Sequence, residues 1–334
     1  MRILITGGCG FIGSHLSEAL LADGHRVTVL DDLSTGRREN VAHLSGSADF
    51  SIVEGSVLDA GLVERQVAHS DVVFHLAAAV GVELIIGDPL RVLETNILGT
   101  HNVLRAAASA GAKVLLASTS EIYGKSADLP FAEDGDRVLG PTSKWRWCYS
   151  TSKAADEYLA FAYHRQRRLP VVVFRLFNTV GPRQRGHYGM VIPRLVEQAL
   201  NGQPLTVYGD GSQSRTFCDA RDAVRALCGL MGEPGAVGEA FNVGSTREVS
   251  IHELARTILE LCGLEPSAER IALVPYERAY EAGFEDMTRR APDLSRIRRL
   301  TGWSPEIPLE ATLAAVIEEK RAAGLRASET ASGH

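Results

Sequence analysis

Short apolar runs alternate with amphipathic segments over the first half of the chain. The run Ile3–Ile5 shows no alternation of apolar and polar residues, which is typical of a strand covered on both faces. Further strands are predicted at 25–30, 50–54, from 71 and at 113–118, and helices at 11–22, 60–68, 89–110 and 149–167. Strands that alternate with helices in this way predict an α/β fold with a parallel, doubly wound sheet of the Rossmann type.

The second half of the chain predicts a smaller α/β lobe. Helices are expected at 189–201 and 221–231, a strand at 205–208, and a strand at 240–243 that rejoins the main sheet. Ser250 and Glu253 predict a capping box for a helix that ends at Cys262. We therefore assign 1–175 to the Rossmann domain, with about 212–248 returning to it, and mainly 176–326 to the lobe. Residues 327–334 are rich in Ser, Ala and Gly and are expected to be a disordered tail.

Composition narrows the class of protein. The net charge of −6 over 334 residues gives no case for binding nucleic acid or an anionic membrane. The five cysteines are scattered without a Cys-x-x-Cys pair, which argues against a metal site or a disulfide framework. No apolar run approaches the length of a membrane span. Because the first strand begins at residue 2, we expect no signal peptide and a cytoplasmic location.

A glycine-rich turn follows the first strand, with the sequence T-G-G-C-G-F-I-G at 6–13. Gly7 allows the tight turn, Gly10 lets the backbone approach a pyrophosphate, and Gly13 lets the following helix pack on the strand. The second strand ends in Asp31, where a carboxylate accepts the ribose hydroxyls of NAD. We therefore expect NAD as the cofactor. Arg37 and Arg38 could instead hold the 2′-phosphate of NADP, although Asp31 would repel that phosphate.

Two further strand ends carry polar side chains at the expected edge of the sheet. His75 closes the fourth strand, and we interpret it as a structural hydrogen-bond partner in preference to a catalytic residue. The fifth strand ends in Ser118, Thr119, Ser120 and Glu121. Because ligands of doubly wound sheets bind beyond the carboxyl ends of the strands, we expect this cluster to line the site.

Tyr149 and Lys153 lie four residues apart and therefore on one face of the predicted helix 149–167. A lysine ammonium and a bound nicotinamide would lower the pKa of the phenol toward the working pH. The resulting phenolate could take a proton from a substrate hydroxyl while a hydride leaves for NAD.

Together these motifs resemble those of the extended short-chain dehydrogenase/reductases, in the NAD-dependent nucleotide-sugar epimerase/dehydratase family. The resemblance covers nearly the whole length: it includes the glycine turn, H-L-A-A at 75–78, and the set Thr119, Tyr149 and Lys153. In the second half, R-L-F-N-T-V-G-P-R at 175–183 resembles the loop whose Asn contacts the nucleotide diphosphate. Arg215 resembles an arginine at that diphosphate. Ser56 departs from the family, in which many members carry an Asp near the adenine.

The resemblance implies a UDP-sugar substrate and a homodimer that pairs the helices 89–110 and 149–167. It implies these residues at the cofactor: Gly7, Gly10, Phe11, Ile12, Gly13, Asp31, Asp32, Ser56, Val57, Leu76, Ala77, Ala78, Tyr149 and Lys153. It implies these residues at the substrate: Thr119, Ser120, Glu121, Asn178, Arg185, Arg215 and Arg290, with Tyr149, Lys153 and Thr119 catalytic.

The family members share oxidation at C4 of the sugar and differ in the fate of the 4-keto intermediate. Dehydratases resemble Thr-Asp-Glu at the rim, and Ser120 in place of the Asp disfavours dehydration here. Decarboxylases of UDP-glucuronate resemble Thr-Ser-Glu, which this chain carries at 119–121. One decarboxylase branch also resembles R-W-C-Y-S-T-S-K at 146–153, whereas the branch that makes UDP-xylose has an acidic residue and Gly in place of Thr151 and Ser152.

UDP-glucuronate 4-epimerases resemble G-P-R-Q-R at 181–185, where the last arginine lies near the sugar carboxylate. Arg185 could hold that carboxylate out of the alignment that releases CO₂, or it could be a solvated loop arginine. The expected function is therefore a 4-epimerase of UDP-glucuronate and UDP-galacturonate. The alternatives are a UDP-glucuronate decarboxylase, a UDP-glucose 4-epimerase, and a non-catalytic NAD-binding scaffold.

Overall fold

A computed structural model of the protein describes residues 1–186, 190–275, 278 and 289–332. Its strands are β1 (Arg2–Thr6), β2 (Arg26–Asp31), β3 (Phe50–Glu54), β4 (Val72–His75), β5 (Lys113–Thr119), β6 (Val171–Leu176), β7 (Thr179–Val180), β8 (Leu205–Tyr208), β9 (Ser214–Thr216), β10 (Cys218–Asp219), β11 (Ala240–Val243), β12 (Glu248–Ser250) and β13 (Ile271–Val274). Its α-helices are α1 (Phe11–Ala22), α2 (Ala60–Val67), α3 (Val82–Gly87), α4 (Pro89–Leu93), α5 (Gly99–Ala110), α6 (Cys148–Arg167), α7 (Val191–Leu200), α8 (Ala220–Gly232), α9 (Ile251–Leu261), α10 (Ser295–Thr301) and α11 (Leu309–Ser332).

Seven strands form the central sheet, in the order β11-β6-β5-β4-β1-β2-β3. Every neighbouring pair is parallel. The chain runs outward from β1 through β2 and β3, then returns to β4 on the other side of β1. The carboxyl ends of β1 and β4 therefore flank the point where the strand order reverses, which is the usual ligand site of such a sheet. The doubly wound sheet confirms the predicted fold class.

Both faces of the sheet are buried, which explains the apolar runs without alternation. Ile3 and Ile5 of β1 pack on one side with residues of α1, α8 and α10. Leu4, which points the other way, packs with residues of α2, α5 and α6. The burial of both faces hides the inner strands from water and leaves the site at the strand ends.

The smaller lobe has a core of its own, built from α7, α9, α11 and the parallel pair β8–β13. The capping box of Ser250 and Glu253 is present at the start of α9, as the sequence predicted. Two short pairings, β7–β10 and β9–β12, lie where the chain passes between the sheet and the lobe.

Three features differ from the sequence-based expectations. First, Ile297 and Trp303, in the region assigned mainly to the lobe, pack in the core of the main sheet beside α8. Second, the segment 89–110 is not one α-helix, because a π-helix at Glu94–Leu98 joins α4 to α5. None of the helices formed by the described residues is long and apolar enough to cross a membrane.

Third, the tail expected to be disordered is helical as far as Ser332, because α11 continues through it. The expectation counted alanine with serine and glycine, but alanine has the highest helix propensity of all residues. Extending a helix that is already nucleated is also easier than starting one, because each added residue gains one hydrogen bond. Residues 333–334 lie outside the described part of the chain.

Candidate active site

A cleft of about 540 Å³ lies between the carboxyl edge of the sheet and the lobe. It brings together all but one of the predicted site residues. From the predicted cofactor set it is lined by Gly7, Gly10, Phe11, Ile12, Gly13, Asp31, Asp32, Val57, Leu76, Ala77, Ala78, Tyr149 and Lys153. From the predicted substrate set it is lined by Thr119, Ser120, Glu121, Asn178, Arg185, Arg215 and Arg290. The exception is Ser56, whose hydroxyl accepts a hydrogen bond from the Leu58 amide at 3.2 Å.

The glycine turn leaves no room for side chains. Gly7 has a φ of +73°, and a Cβ on Gly13 would lie 2.4 Å from the Gly7 carbonyl oxygen. Gly10 precedes α1 without any side-chain cap on the first turn of the helix. The amide groups at this helix end therefore remain available to a pyrophosphate, which the positive end of the helix dipole also attracts.

Asp31 ends β2 beside this turn and is only 7% exposed. Its carboxylate accepts hydrogen bonds from the Cys9 amide at 2.9 Å and the Leu33 amide at 2.8 Å. Burial raises the pKa of Asp31, although these two amide donors oppose the rise. Arg38, which the sequence left open as a ligand of a 2′-phosphate, instead lies 2.5 Å from Glu54. The cleft thus offers the acceptor that the ribose of NAD requires.

His75 is a buried structural partner, as interpreted from the sequence. Its Nδ1 lies 2.7 Å from the Thr6 hydroxyl and its Nε2 lies 3.1 Å from the Thr100 hydroxyl. Burial lowers the pKa of His75 to about 3, and the Lys153 ammonium contributes to that shift. The imidazole is therefore neutral and links β1, β4 and α5 behind the cleft.

Tyr149 and Lys153 lie in the first turns of α6 and face the cleft. The Tyr149 hydroxyl has a hydrogen bond with Thr119, which favours the phenolate. The Lys153 ammonium is 2.7 Å from the carboxylate of Asp156, which no sequence argument had singled out. Burial nevertheless raises the pKa of Tyr149, and the Glu121 and Asp156 carboxylates raise it further. Burial is the largest cause of this rise, and a carboxylate accompanies the Lys153 ammonium that was expected to oppose it.

Asn96 in the π-helix fixes the wall beside Tyr149. Its side-chain oxygen accepts a hydrogen bond from the Ala79 amide at 2.8 Å, and its Nδ2 donates to the Ser152 hydroxyl at 3.0 Å. This fully buried amide ties the small-residue turn after β4 to α6. From the sequence, Asn96 was only one residue of the predicted helix 89–110. A polar amide within the apolar face of that helix could have indicated its structural role.

Glu121 lies between two arginines at the same end of the cleft. Arg290 donates to Glu121 Oε1 at 2.8 Å and to the Ser120 hydroxyl at 3.3 Å. Arg146 is 2.5 Å from Glu121 Oε2. Burial would raise the pKa of Glu121, but the two guanidinium groups lower it to about 2. Arg290 was predicted at the substrate, whereas Arg146 entered the sequence analysis only as part of a motif.

Arg185 is far more exposed than either of these arginines. It borders a second, open cavity that is also lined by Arg37, Arg194 and Lys320. Within the described part of the chain it forms no ion pair. Arg185 therefore lies at the mouth of the cleft, outside the cluster around Glu121.

The lobe contributes the two residues expected at the diphosphate. Asn178 donates to the Thr216 carbonyl at 2.8 Å, and Arg215 donates to the Ser214 carbonyl at 2.8 Å. Both line the cleft.

The family model described as the NAD dependent epimerase/dehydratase family matches residues 3–244. The chain belongs to this family. It is 43% identical to a UDP-N-acetyl-alpha-D-glucosaminuronate decarboxylase of Bacillus cytotoxicus, over 95% of this chain and 97% of the relative. It is 39% identical to UDP-glucuronic acid decarboxylase 1 of Xenopus tropicalis, over 92% of this chain and 69% of the relative.

Among solved structures, the fold resembles a UDP-glucuronic acid 4-epimerase of Bacillus cereus in complex with NAD and a fluorinated UDP-glucuronic acid. The TM-score is 0.85 with 28% identity, over 97% of this chain and 100% of that one. Membership in the NAD-dependent epimerase/dehydratase family makes the protein an enzyme that uses NAD. The side-chain-free glycine turn, the open end of α1 and the buried carboxylate of Asp31 all fit this cofactor.

Proposed function

We propose that the protein is an NAD-dependent decarboxylase of a UDP-linked hexuronic acid. The observation that carries the proposal is the Arg146–Glu121–Arg290 cluster beside Tyr149. A decarboxylase was the alternative function in the sequence analysis. The two decarboxylase relatives support this alternative better than they support the 4-epimerase that was the main expectation.

The donors of Arg290 favour an acidic sugar. Arg146 and Arg290 both contact the Glu121 carboxylate in a buried part of the cleft. The Arg290 side chain is 9% exposed, and its Nε has no hydrogen-bond partner among the described residues. A buried guanidinium with free donors binds carboxylates strongly, because charge-assisted bonds are the strong ones. The carboxylate of a hexuronic acid would occupy the donors of Arg290 that Glu121 and Ser120 leave free.

The chain's own residues account for the steps after binding. Tyr149, hydrogen-bonded to Thr119, accepts the proton of the sugar 4-hydroxyl. Bound NAD supplies the acceptor for the hydride of C4. The 4-ketone that results lies β to the carboxylate on C5. The C5–carboxylate bond then breaks, its electron pair forms an enolate with the C4 oxygen, and a proton adds to C5. Return of the hydride to C4, with the proton from Tyr149 returning to the C4 oxygen, would then give the UDP-pentose.

Arg290 and Glu121 together can promote this loss of CO₂. Arg290 would fix the torsion of the carboxylate so that the breaking bond aligns with the carbonyl π system. Departure of neutral CO₂ removes the substrate anion from Arg290. Glu121, kept ionised by Arg146, then provides a carboxylate with which Arg290 pairs again. The site therefore does not leave a buried guanidinium without a counter-charge after the reaction.

Arg185 was central to the epimerase hypothesis, because it was expected to hold the carboxylate out of alignment. Its exposed position, away from Glu121, weakens that hypothesis. We therefore expect Arg185→Ala to leave the ratio of CO₂ to sugar product unchanged. A rise in that ratio would instead support the epimerase.

A product assay tests the proposal directly. The enzyme is supplied with UDP-glucuronate, UDP-N-acetylglucosaminuronate and UDP-galacturonate in turn, and CO₂ and the sugar nucleotide are measured together. We expect stoichiometric CO₂ and a UDP-pentose, or its 2-acetamido analogue, from at least one acid. A C4 epimer formed without CO₂ would support the epimerase. Turnover of UDP-glucose alone would contradict both acid-specific reactions, and NAD binding without any turnover would favour a scaffold.

We also propose a homodimer built on the face that α4, the π-helix and α6 share. Leu90, Leu98 and Tyr158 are 64%, 52% and 71% exposed on these helices. Exposed apolar groups on neighbouring elements are typical of association sites. Leu98→Glu with Tyr158→Asp should give a monomer in sedimentation, whereas Leu273→Glu, at a similarly exposed leucine on β13, should not. An unchanged sedimentation coefficient in the double variant would contradict the proposed interface.

A further inference from the structure

Asp156 lies one turn after Lys153 on α6 and is completely buried. Its carboxylate is 2.7 Å from the Lys153 ammonium, which is itself only 3% exposed. Lys153 lines the cleft, but Asp156 does not. A buried ion pair therefore spans the wall of the site, with its cation toward the cleft and its anion behind it.

Neutral groups surround the rest of this carboxylate. Thr100 of α5 has a hydrogen bond with Asp156, and its hydroxyl also contacts the neutral imidazole of His75 from β4. From the π-helix, Asn96 faces Ser152, the residue before Lys153. None of these groups brings a charge to Asp156.

The other charged groups nearby already have partners. On α6, Glu157 pairs with Arg175 of β6. On the cleft side of Tyr149, Glu121 pairs with Arg146 and Arg290. Lys153 is therefore the cation that balances Asp156.

We infer that Asp156 is a positioning residue: it holds the Lys153 ammonium against the back wall of the cleft and so sets the pH range in which Tyr149 works as the base. This role rests on the proposed function only in taking Tyr149 as the base. It is independent of whether the keto sugar then loses CO₂.

The sign of the effect is set by the arrangement of the charges. The Asp156 carboxylate disfavours the Tyr149 phenolate because the two negative charges repel each other. By pairing with the Lys153 ammonium, Asp156 also limits how well that ammonium can stabilise the phenolate. Neutralising Asp156 removes both effects. Each therefore moves formation of the Tyr149 phenolate toward lower pH.

The test compares wild type with Asp156→Asn, both loaded with NAD. We expect the acid limb of the kcat/KM profile to move to lower pH by about one unit or more, the size of shift that a nearby charge typically causes. Asp156→Glu should restore the wild-type limb. Glu64→Gln removes the carboxylate of an exposed ion pair with Arg105 and should leave the profile unchanged. An unchanged limb in Asp156→Asn, or a shift to higher pH, would overturn the inference.

A second readout needs no substrate. The absorbance of ionised tyrosine is measured as a function of pH in each protein. Subtracting the titration curve of Tyr149→Phe, which keeps the other seven of the eight tyrosines, isolates the signal of Tyr149. The Tyr149 step should begin at lower pH in Asp156→Asn than in wild type. This result would stand even if the product assay contradicted decarboxylation.

The asparagine variant leaves a buried ammonium alone, and its folding could suffer. Adding Asp156→Asn to Lys153→Met removes both charges and avoids that problem. If Asp156 acts largely through the ammonium, the added substitution should shift the Tyr149 titration much less in this background. An equal shift in both backgrounds would refute the positioning role.

Discussion

Replacing Arg290 with methionine tests the proposed carboxylate site most sharply. Methionine keeps much of the length and apolar surface of the arginine side chain but has no donors. In the structure, Arg290 makes one charge-assisted bond to Glu121 and one to the Ser120 hydroxyl, and the substrate carboxylate would add two bonds at the donors that these contacts leave free. Hydrogen bonds to charged groups contribute about 1.5–3 kcal/mol each. Loss of two such bonds corresponds to about 10²–10⁴-fold in kcat/KM for the acid, at 1.4 kcal/mol per tenfold.

The folded state should tolerate this change, because Glu121 keeps Arg146 as its counter-charge. Removing one partner of a buried pair costs about 3–5 kcal/mol when the other charge is left alone, and we expect a smaller loss here. Thermal melting and NAD binding of the variant check this point separately from turnover.

The assay measures CO₂ release from each UDP-hexuronate over a range of concentrations. Arg289→Met is the matched control: the neighbouring guanidinium is 57% exposed and pairs with Glu248 instead. It should leave kcat/KM unchanged. Arg290→Lys should retain part of the activity, because it keeps the charge but loses the paired donors. A folded Arg290→Met enzyme whose kcat/KM falls by less than about tenfold, or 1.4 kcal/mol, would refute the carboxylate assignment.

Three further predictions concern the cofactor, the base and the buried histidine. Asp31→Ala should weaken NAD by roughly 1.5–3 kcal/mol in titration calorimetry, through loss of bonds to the ribose, and wild type binding NADP as tightly as NAD would contradict this role. Tyr149→Phe should keep the fold and NAD but lose about 10²–10⁴-fold in turnover, whereas near-normal rates would exclude Tyr149 as the base. His75 resists protonation until about pH 3 in the folded protein but takes up a proton near pH 6.5 when unfolded. Its contribution to stability should therefore be full above pH 6.5 and decline as the pH falls toward 3, and His75→Gln should melt with a weaker dependence on pH over this interval.

Much of the main domain can be predicted from local pattern. Apolar runs without alternation indicated the parallel strands, and the glycine turn with Asp31 indicated the nucleotide end of the cleft. These features depend on residues close in sequence, whose geometry is set by strand, turn and helix preferences. The return of β11 to the sheet was also predicted from the sequence, and β11 pairs with β6.

The charge pairs of the site could not be read in the same way. Arg146, Glu121 and Arg290 are brought together by the tertiary fold from three separate segments. Asp156 is only three residues from Lys153, yet the same spacing occurs often on exposed helix surfaces. Only its burial turns this spacing into a buried ion pair, whose carboxylate adds to the rise that burial causes in the pKa of Tyr149. Arg185 shows the converse, since its motif predicted a place at the sugar and the fold leaves it exposed at the mouth of the cleft.

The π-helix at Glu94–Leu98 has a consequence for how insertions and deletions would act on this protein. Each residue of an α-helix turns the chain by about 100°, so a π-turn offsets the angular phase of α4 from that of α5. With this offset, Leu90 of α4 faces solvent, while Asn96 of the π-helix and Val103 of α5 are buried. Deleting one residue within 94–98 would restore a regular helix and rotate one half against the other. A single codon lost there would disturb the outer surface and the wall of the cleft in the same event.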